Sequence, residues 1–462
     1  MYSFYFNRVK QVYELTEMVR MFLPPSAYTI LTNDPAEEVL CLPKDEENKV
    51  VRIPDSINTR DEGKRFIYDK LKEHTGQTLD WGTLTGVRPV KLAGELQATG
   101  NSREQTLNIL MDYYYLSRDK AELILSIRDT QLPYLADAPA GSVALYIGIP
   151  FCPTKCMYCS FPSYQVSYDK IAAYLDSLEY EIRFAGKAAA ERGLYLESIY
   201  IGGGTPSILE DPDLSRLLAT LKESFDLGRI KEFTLEAGRP DTVTESKLII
   251  MKENGIDRIS INPQSMKEIT LEKIGRRHKP KDITEAIKLA KTIGFDVINA
   301  DLIAGLPDEA TEDFSDSLKE ILGLCPENIT IHTLAVKRAS RLKEIDESYS
   351  YHQGDKVRQM LNMGEKLLAN AGYRPYYLYR QKQMAGNLEN IGYSFPGKES
   401  VYNIRIMEEK QTILALGAGG ISKVWYPEEN RLERIPNVSN YEIYIERIED
   451  MIDRKKNGIF NI

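Results

Sequence analysis

From residue 143 onward, short β-rich runs alternate strictly with amphipathic helical stretches, and nothing else in the chain narrows its fold as far. The runs are VALYIGI (143–149), SIYIG (198–202), EFTLEA (232–237), RISIN (258–262), DVINADLI (296–303), NITIHTL (328–334) and YYLY (376–379). Helical periodicity fills the intervals 170–192, 211–225, 244–254, 281–293, 312–323 and 355–371. Strand and helix in this order predict an α/β protein made of parallel βαβ units. Some six repeats exceed a small open sheet and suit a full or partial barrel, whose functional groups sit on the loops after the strands.

The rest of the 462 residues divides around that core. Residues 1–131 read as an N-terminal mixed α/β domain: β-like YSFYF, a helix near 11–22, a strand KVVRI (49–53), and helices near 58–75 and 102–130. LPYLADAPAGS (132–142) is rich in Pro, Gly and small residues and reads as a linker. The barrel is expected over 143–380. A C-terminal extension, 381–462, follows, with irregular structure, short strands and a final helix near 439–455.

Composition excludes several classes. A chain 42% hydrophobic and 27% charged is neither disordered nor fibrous. A net charge of −9 offers no general phosphate-neutralising surface, so no nucleic-acid partner is expected. No run reaches ~18 uncharged apolar residues and Met1–Lys10 lacks the order of a secretory signal, so no membrane span is expected and a cytoplasmic location is. Three of the five cysteines, Cys152, Cys156 and Cys159, crowd into one short stretch, which is no disulfide framework.

That stretch, Ile149-Pro-Phe-Cys-Pro-Thr-Lys-Cys-Met-Tyr-Cys-Ser-Phe161, begins where the first barrel strand ends. Iron–sulfur cubes take cysteine thiolates, normally four, so three leave one iron open to a small molecule. Pro150, Pro153 and Pro162 keep the loop from becoming a helix that would turn its sulfurs apart. The alternative is structural zinc, with a fourth ligand from His278, His332 or Cys325. Zinc sites favour two-residue gaps between paired ligands, and the first gap here is three.

Other strand ends also carry unusual groups. Ile201-Gly-Gly-Gly-Thr-Pro-Ser207, with Gly203, Gly204 and Thr205, closes the second strand. It is neither a dinucleotide fingerprint nor a P-loop. Its glycines let backbone approach a ligand closely, or simply make a tight turn. Glu236 closes TLEA, Gln264 closes ISINPQ, Arg276 lies in LEKIGRRH, and Asp301 closes VINAD. A carboxylate in an apolar strand costs several kcal/mol unless paired, so Asp301 needs a partner or a ligand.

The CxxxCxYC run after LYIGIPFCP resembles the radical S-adenosylmethionine (SAM) enzymes, and within them the oxygen-independent coproporphyrinogen III oxidase/dehydrogenase family. Its likeness continues through LxxIGRxH (271–278), DLIAGLPDE (301–309), QMAGNLENIGYS (383–394) and LALGAGGISK (414–423), covering about 143–430. IGIPFCP, EAGRPDT, SINPQS and HTLAVKRAS are worded most like a HemZ-like branch. Gly148 stands where the best-known branch has a histidine, and residues 1–131 do not resemble that branch's N-terminal segment.

The resemblance implies a partial parallel (β/α)6-type radical SAM barrel and a 4Fe-4S cluster on Cys152, Cys156 and Cys159. It also implies one or two SAM molecules. It places Glu236 and Gln264 near the ribose and methionine moieties, Arg276 on the carboxylate, Asp301 on ribose hydroxyls, Tyr146 beside the cofactor and the 203–205 segment on the amino group. The implied activity converts two propionates of coproporphyrinogen III to vinyl groups in haem biosynthesis. Its partners are the tetrapyrrole substrate and an electron donor such as flavodoxin or ferredoxin. Lys337, Arg338, Arg341 and Lys343 suit substrate carboxylates or form a solvated basic face. Relatives that carry haem imply a chaperone alternative, with His332 or His278 as axial ligand, and a radical methyltransferase or haem-opening enzyme is a third.

Overall fold

The computed structural model describes residues 2–6, 12–32, 50–54, 56–57, 59–86, 88–135, 141–336, 349, 353–382 and 384–460. Three parallel strands open the chain, β1 (Tyr2–Phe6), β2 (Tyr28–Thr32) and β3 (Val50–Arg52), in the order β2-β1-β3. Helices Val12–Phe22 and Arg60–Thr75 cover this sheet around a core of its own, built on Phe4, Leu15, Met18, Val19, Ile67 and Leu71. The second helix starts sharply because Thr59 and Glu62 form a reciprocal capping box.

The main sheet holds eleven strands among the described residues, in the order β10-β11-β9-β8-β7-β6-β5-β4-β12-β13-β14. Its centre is the parallel series β4 (Ser142–Ile149), β5 (Tyr195–Gly203), β6 (Glu232–Glu236), β7 (Arg258–Ser260), β8 (Val297–Ala304) and β9 (Asn328–Thr333), each followed by a helix. Successive parallel pairing of sequential strands makes the open six-unit barrel that the alternation predicts. One face of the strands is apolar, as Val143, Leu145, Ile147, Ile199, Ile201, Leu235 and Ile259 show, because the helices pack against it; the alternate positions, Tyr146, Tyr200, Thr234, Ser260 and Asn299 among them, turn polar and aromatic groups inward.

The flanks come from later in the chain. β10 (Arg374–Tyr379) and β11 (Asn390–Ser394) add on beyond β9 and run antiparallel. On the other side β12 (Thr412–Leu416) pairs parallel with β4, and β13 (Ile421–Tyr426) and β14 (Arg431–Pro436) continue as an antiparallel meander. The stretch after 380 is therefore more regular than its pattern suggests. The expected final helix is two, Tyr441–Glu446 and Ile448–Lys455, with Arg447 between them.

The stretch read as a linker begins inside a helix: Arg118–Leu135 runs through Leu132 and Pro133. Residues 136–140 lie outside the described residues, and Gly141, at φ 80°, turns the chain into β4. Trp81, Val90, Leu110, Ile124 and Ile127 belong to the barrel's own apolar core, so the later part of 1–131 packs as its flank. The Trp81 indole N–H donates to Glu389 Oε2 at 2.7 Å, and Lys120 pairs with the same buried carboxylate at 2.5 Å.

Candidate cofactor and active site

The cysteine loop leaves β4 and is stitched to the end of β5. Gly204 N–H donates to Ile149 O (2.8 Å), Thr205 N–H to Phe151 O (2.8 Å), and the Thr205 hydroxyl to Cys152 Sγ (3.3 Å). A Cβ at Gly204 would lie 2.5 Å from Phe151 O and 3.0 Å from Cys152 Sγ, so only glycine permits this approach. The far side of the loop is held by Met157 N–H on Ile274 O (3.0 Å), the Thr154 hydroxyl on Gly275 O (3.2 Å), and Arg239 Nη1 on Thr154 Oγ1 (2.6 Å). Arg239 is itself clamped by a two-bond pair with Asp241, both at 3.0 Å. Burial pushes the Cys152 and Cys159 thiols up from their ordinary value.

Beneath this loop a cavity of ≈ 490 Å³ occupies the barrel. Cys152, Cys156, Cys159, Tyr146, Gly203, Gly204, Thr205, Glu236, Gln264, Arg276 and Asp301 all line it. Gln264 holds φ 66°, unusual for a side chain of its size, and its N–H bonds Asp301 O (2.8 Å). Its Oε1 is buried with no protein partner. Arg276 is buried, bonding Asn262 O (2.6 Å), Gly238 O (3.3 Å) and the Tyr158 hydroxyl (3.3 Å).

Two carboxylates face the cavity from different surroundings. Burial raises the Asp301 carboxyl, but His332 and the Asn299 and Thr330 side chains outweigh it and hold the group below its usual range. Asn299 Nδ2 lies 2.7 Å from Asp301 Oδ1 and His332 Nε2 3.5 Å from Oδ2, while His332 Nδ1 is 3.3 Å from the Tyr379 hydroxyl. Glu236 is pushed up to about 7, chiefly by burial and with Asp301 adding repulsion, although the Tyr200 hydroxyl bonds it.

Sequence reasoning missed the aromatic lining: Tyr200, Tyr376, Tyr377, Tyr379 and Tyr402 all border the cavity. Period two along SIYIGG puts Tyr200 on the face of Gly202 and was a usable signal. Tyr402, on helix Val401–Glu408, had none.

The zinc ligands considered from sequence are dispersed. Cys325 is exposed at the end of helix Thr311–Leu324, ahead of β9 and thus at the opposite end of the sheet from the cysteine loop. His332 is engaged with Asp301 and Tyr379. His278 is buried outside this cavity, with neither ring nitrogen partnered, and burial pushes it down to about 4. Among the described residues, no three His, Cys, Asp or Glu side chains, the three loop cysteines included, are gathered closely enough to hold a single metal ion; a four-iron cube, whose ligands bind separate irons, does not need them so close. Lys337, Arg338, Arg341 and Lys343 lie outside the described residues.

A cysteine loop at the mouth of an open parallel barrel defines a class, and the radical SAM superfamily matches residues 146–321. Oxygen-independent coproporphyrinogen-III oxidase-like protein HemZ of Bacillus subtilis (strain 168) is 42% identical over 396 residues, 84% of this chain and 79% of that protein. Heme chaperone HemW of Escherichia coli (strain K12) is 30% identical over 295 residues, 62% and 71% of the two chains. The solved structure of coproporphyrinogen III oxidase (HemN) from Escherichia coli shares the fold, with a TM-score of 0.54 at 22% identity over 70% of this chain and 73% of that one. This chain belongs to the radical SAM family that includes HemZ and HemW.

That membership implies a 4Fe-4S cluster and SAM. The residues present suit both: three thiols share one loop, Gly204 leaves no room for a Cβ beside Cys152, and the orphaned Gln264 Oε1 awaits a donor. Among the described residues, no helix is long and apolar enough to cross a membrane.

Proposed function

We propose that this chain catalyses oxygen-independent oxidative decarboxylation of coproporphyrinogen III, turning two propionate side chains into vinyl groups. Each event removes one hydrogen atom from the propionate β-carbon, then releases CO2 and passes one electron to a one-electron acceptor, which the reaction consumes. The cluster on Cys152, Cys156 and Cys159 and the SAM it binds supply, when present, hydrogen-atom abstraction from an unactivated carbon. A one-electron carrier such as flavodoxin or ferredoxin, in the cytoplasm, provides the reducing electron.

The observation that carries this reading is that the three thiols and the polar groups Glu236, Gln264, Arg276 and Asp301 border one cavity. Asp301, kept ionised by His332 and Asn299, accepts from ribose hydroxyls. Arg276 supplies a fixed cation for the SAM carboxylate, and Gln264 Oε1 an unpaired acceptor. The tyrosine lining and the overlying loop keep water from the reacting carbon.

Anaerobic incubation with coproporphyrinogen III, SAM and a reductant tests it. The expected product has lost two CO2 and gained two vinyl groups, with 5′-deoxyadenosine formed alongside. The HemW relatives support a second reading, haem carriage. Stoichiometric haem binding with no change in substrate mass would establish that reading and remove the first.

Asp301→Ala gives a narrower test. Loss of a hydrogen bond to a charged group weakens binding by about 10- to 100-fold, so SAM affinity of the cluster-loaded protein falls by that factor while iron content stays at wild-type level. Calorimetric titration measures it, and unchanged affinity removes Asp301 from the cofactor site.

A further inference from the structure

The Tyr200 ring lies between two others. Its centroid is 4.6 Å from that of Tyr402 at an interplanar angle of 21°, and 6.3 Å from Tyr146 at 15°. The three rings join β4, β5 and helix Val401–Glu408, so a residue far outside the 146–321 match reaches the floor of the cofactor cavity. Space for the stack comes from Gly202, where a Cβ would lie 2.8 Å from the Tyr200 ring and 3.1 Å from the Glu236 carboxylate.

With the ring held face to face in this way, the Tyr200 hydroxyl donates to Glu236 Oε1 at 2.5 Å. A phenol with one torsion blocked by two ring neighbours is a stiff donor. It leaves the Glu236 carboxyl one orientation in which its remaining acceptor capacity faces the cavity. We propose that Tyr200 is a positioning residue of the cofactor site, fixing the Glu236 carboxylate through this hydrogen bond, with Tyr402 holding its ring from the C-terminal side. The inference rests on the reading that Glu236 contacts SAM.

The groups acting on Glu236 are Tyr146 on β4, Tyr200 and the Gly203 N–H on β5, Asp301 on β8, His332 on β9, Tyr379 on β10 and Tyr402 on the helix; β7, which pairs with β6 at Ser260, adds Arg258 to the same cavity lining. Asp301 opposes ionisation of Glu236, while His332, Gly203 and Tyr200 favour it. The carboxyl titrates at about 7, so it takes up a proton, and loses acceptor strength, as pH falls through that value. Removing the Tyr200 bond removes a stabiliser of the charged form and moves that midpoint upward.

Tyr200→Phe keeps the ring stack and deletes only the donor. In the cluster-loaded protein without SAM, the infrared carboxylic-acid band of Glu236, identified by its loss in Glu236→Gln, should titrate about one pH unit higher than in wild type. Calorimetric SAM affinity at pH 7.5 should fall about tenfold, with iron content unchanged. An unmoved band and unchanged affinity in Tyr200→Phe, where Glu236→Gln does weaken SAM binding, overturns the inference. SAM affinity unchanged in Glu236→Gln itself overturns instead the reading of Glu236 as a cofactor contact.

Discussion

Cys156→Ala abolishes the brown chromophore of the reconstituted protein and, with it, SAM cleavage. Wild-type protein reconstituted without oxygen should carry about four irons per chain. The loop's backbone does not depend on the Cys156 side chain: Cys159 N–H bonds Cys156 O (3.2 Å), Met157 N–H bonds Ile274 O, and Cys152 N–H bonds Tyr164 O (3.0 Å). Alanine preserves all three bonds and deletes one of three ligands, so the loss is chemical and the barrel remains folded. Iron analysis and deoxyadenosine release read it directly. A variant that still cleaves SAM would exclude the three-thiol cluster.

Lys455→Met destabilises the protein by about 3–5 kcal/mol, the range for a buried ion pair stripped of one partner. Lys455 and Glu181 are both fully buried, 2.6 Å apart. Glu181 Oε1 also accepts from Asn437 Nδ2 (2.9 Å), and Oε2 from Gly417 N–H and the Tyr444 hydroxyl, both at 2.7 Å. Methionine fills the volume but leaves a carboxylate inside the molecule without its cation. Denaturant unfolding should show the loss, and Lys455→Met/Glu181→Gln should recover most of it. A single variant as stable as wild type would show that the pair contributes little.

The same network reaches the site. Tyr174, whose ring packs at a tilt against Tyr444, donates to Gly148 O at 2.6 Å and accepts from Ala418 N–H at 2.9 Å. The glycine-rich turn of LALGAGGISK is thereby tied to the strand end that launches the cysteine loop. A Cβ at Gly417 would come within 2.5 Å of Gly148 O, which explains the glycine there.

How much of this was legible follows from what each element depends on. β4 to β9 fall within a few residues of the runs read from sequence, because the face of each strand that its helix covers is apolar and that helix carries a 3.6-residue period. The site residues at strand ends were visible as polar interruptions of those runs. What escaped depends on partners distant in the chain. β11, Asn390-Ile-Gly-Tyr-Ser394, carries only two large side chains, Ile391 and Tyr393, too short an alternation to stand out; its Gly392 exists so that the Tyr377 ring can cross it. The expected helix over 102–130 is broken where Tyr115 takes φ 60° and Thr83 N–H bonds Tyr114 O, a contact no local pattern encodes. Tyr200 and Tyr402 meet only once the sheet has closed on its flanking helix.

The pairing of β4 with β12 sets an order of events during synthesis. β4 is the first barrel strand to leave the ribosome, and β5 can dock on one of its sides at once. Its other side waits for Thr412–Leu416, among the last strands made. Until then a row of unpaired amides and carbonyls stands open beside the loop that is to receive iron and sulfur. Maturation of the metal centre on a finished barrel must therefore follow release of nearly the whole polypeptide, and truncation before Thr412 exposes a sticky edge at the heart of the protein.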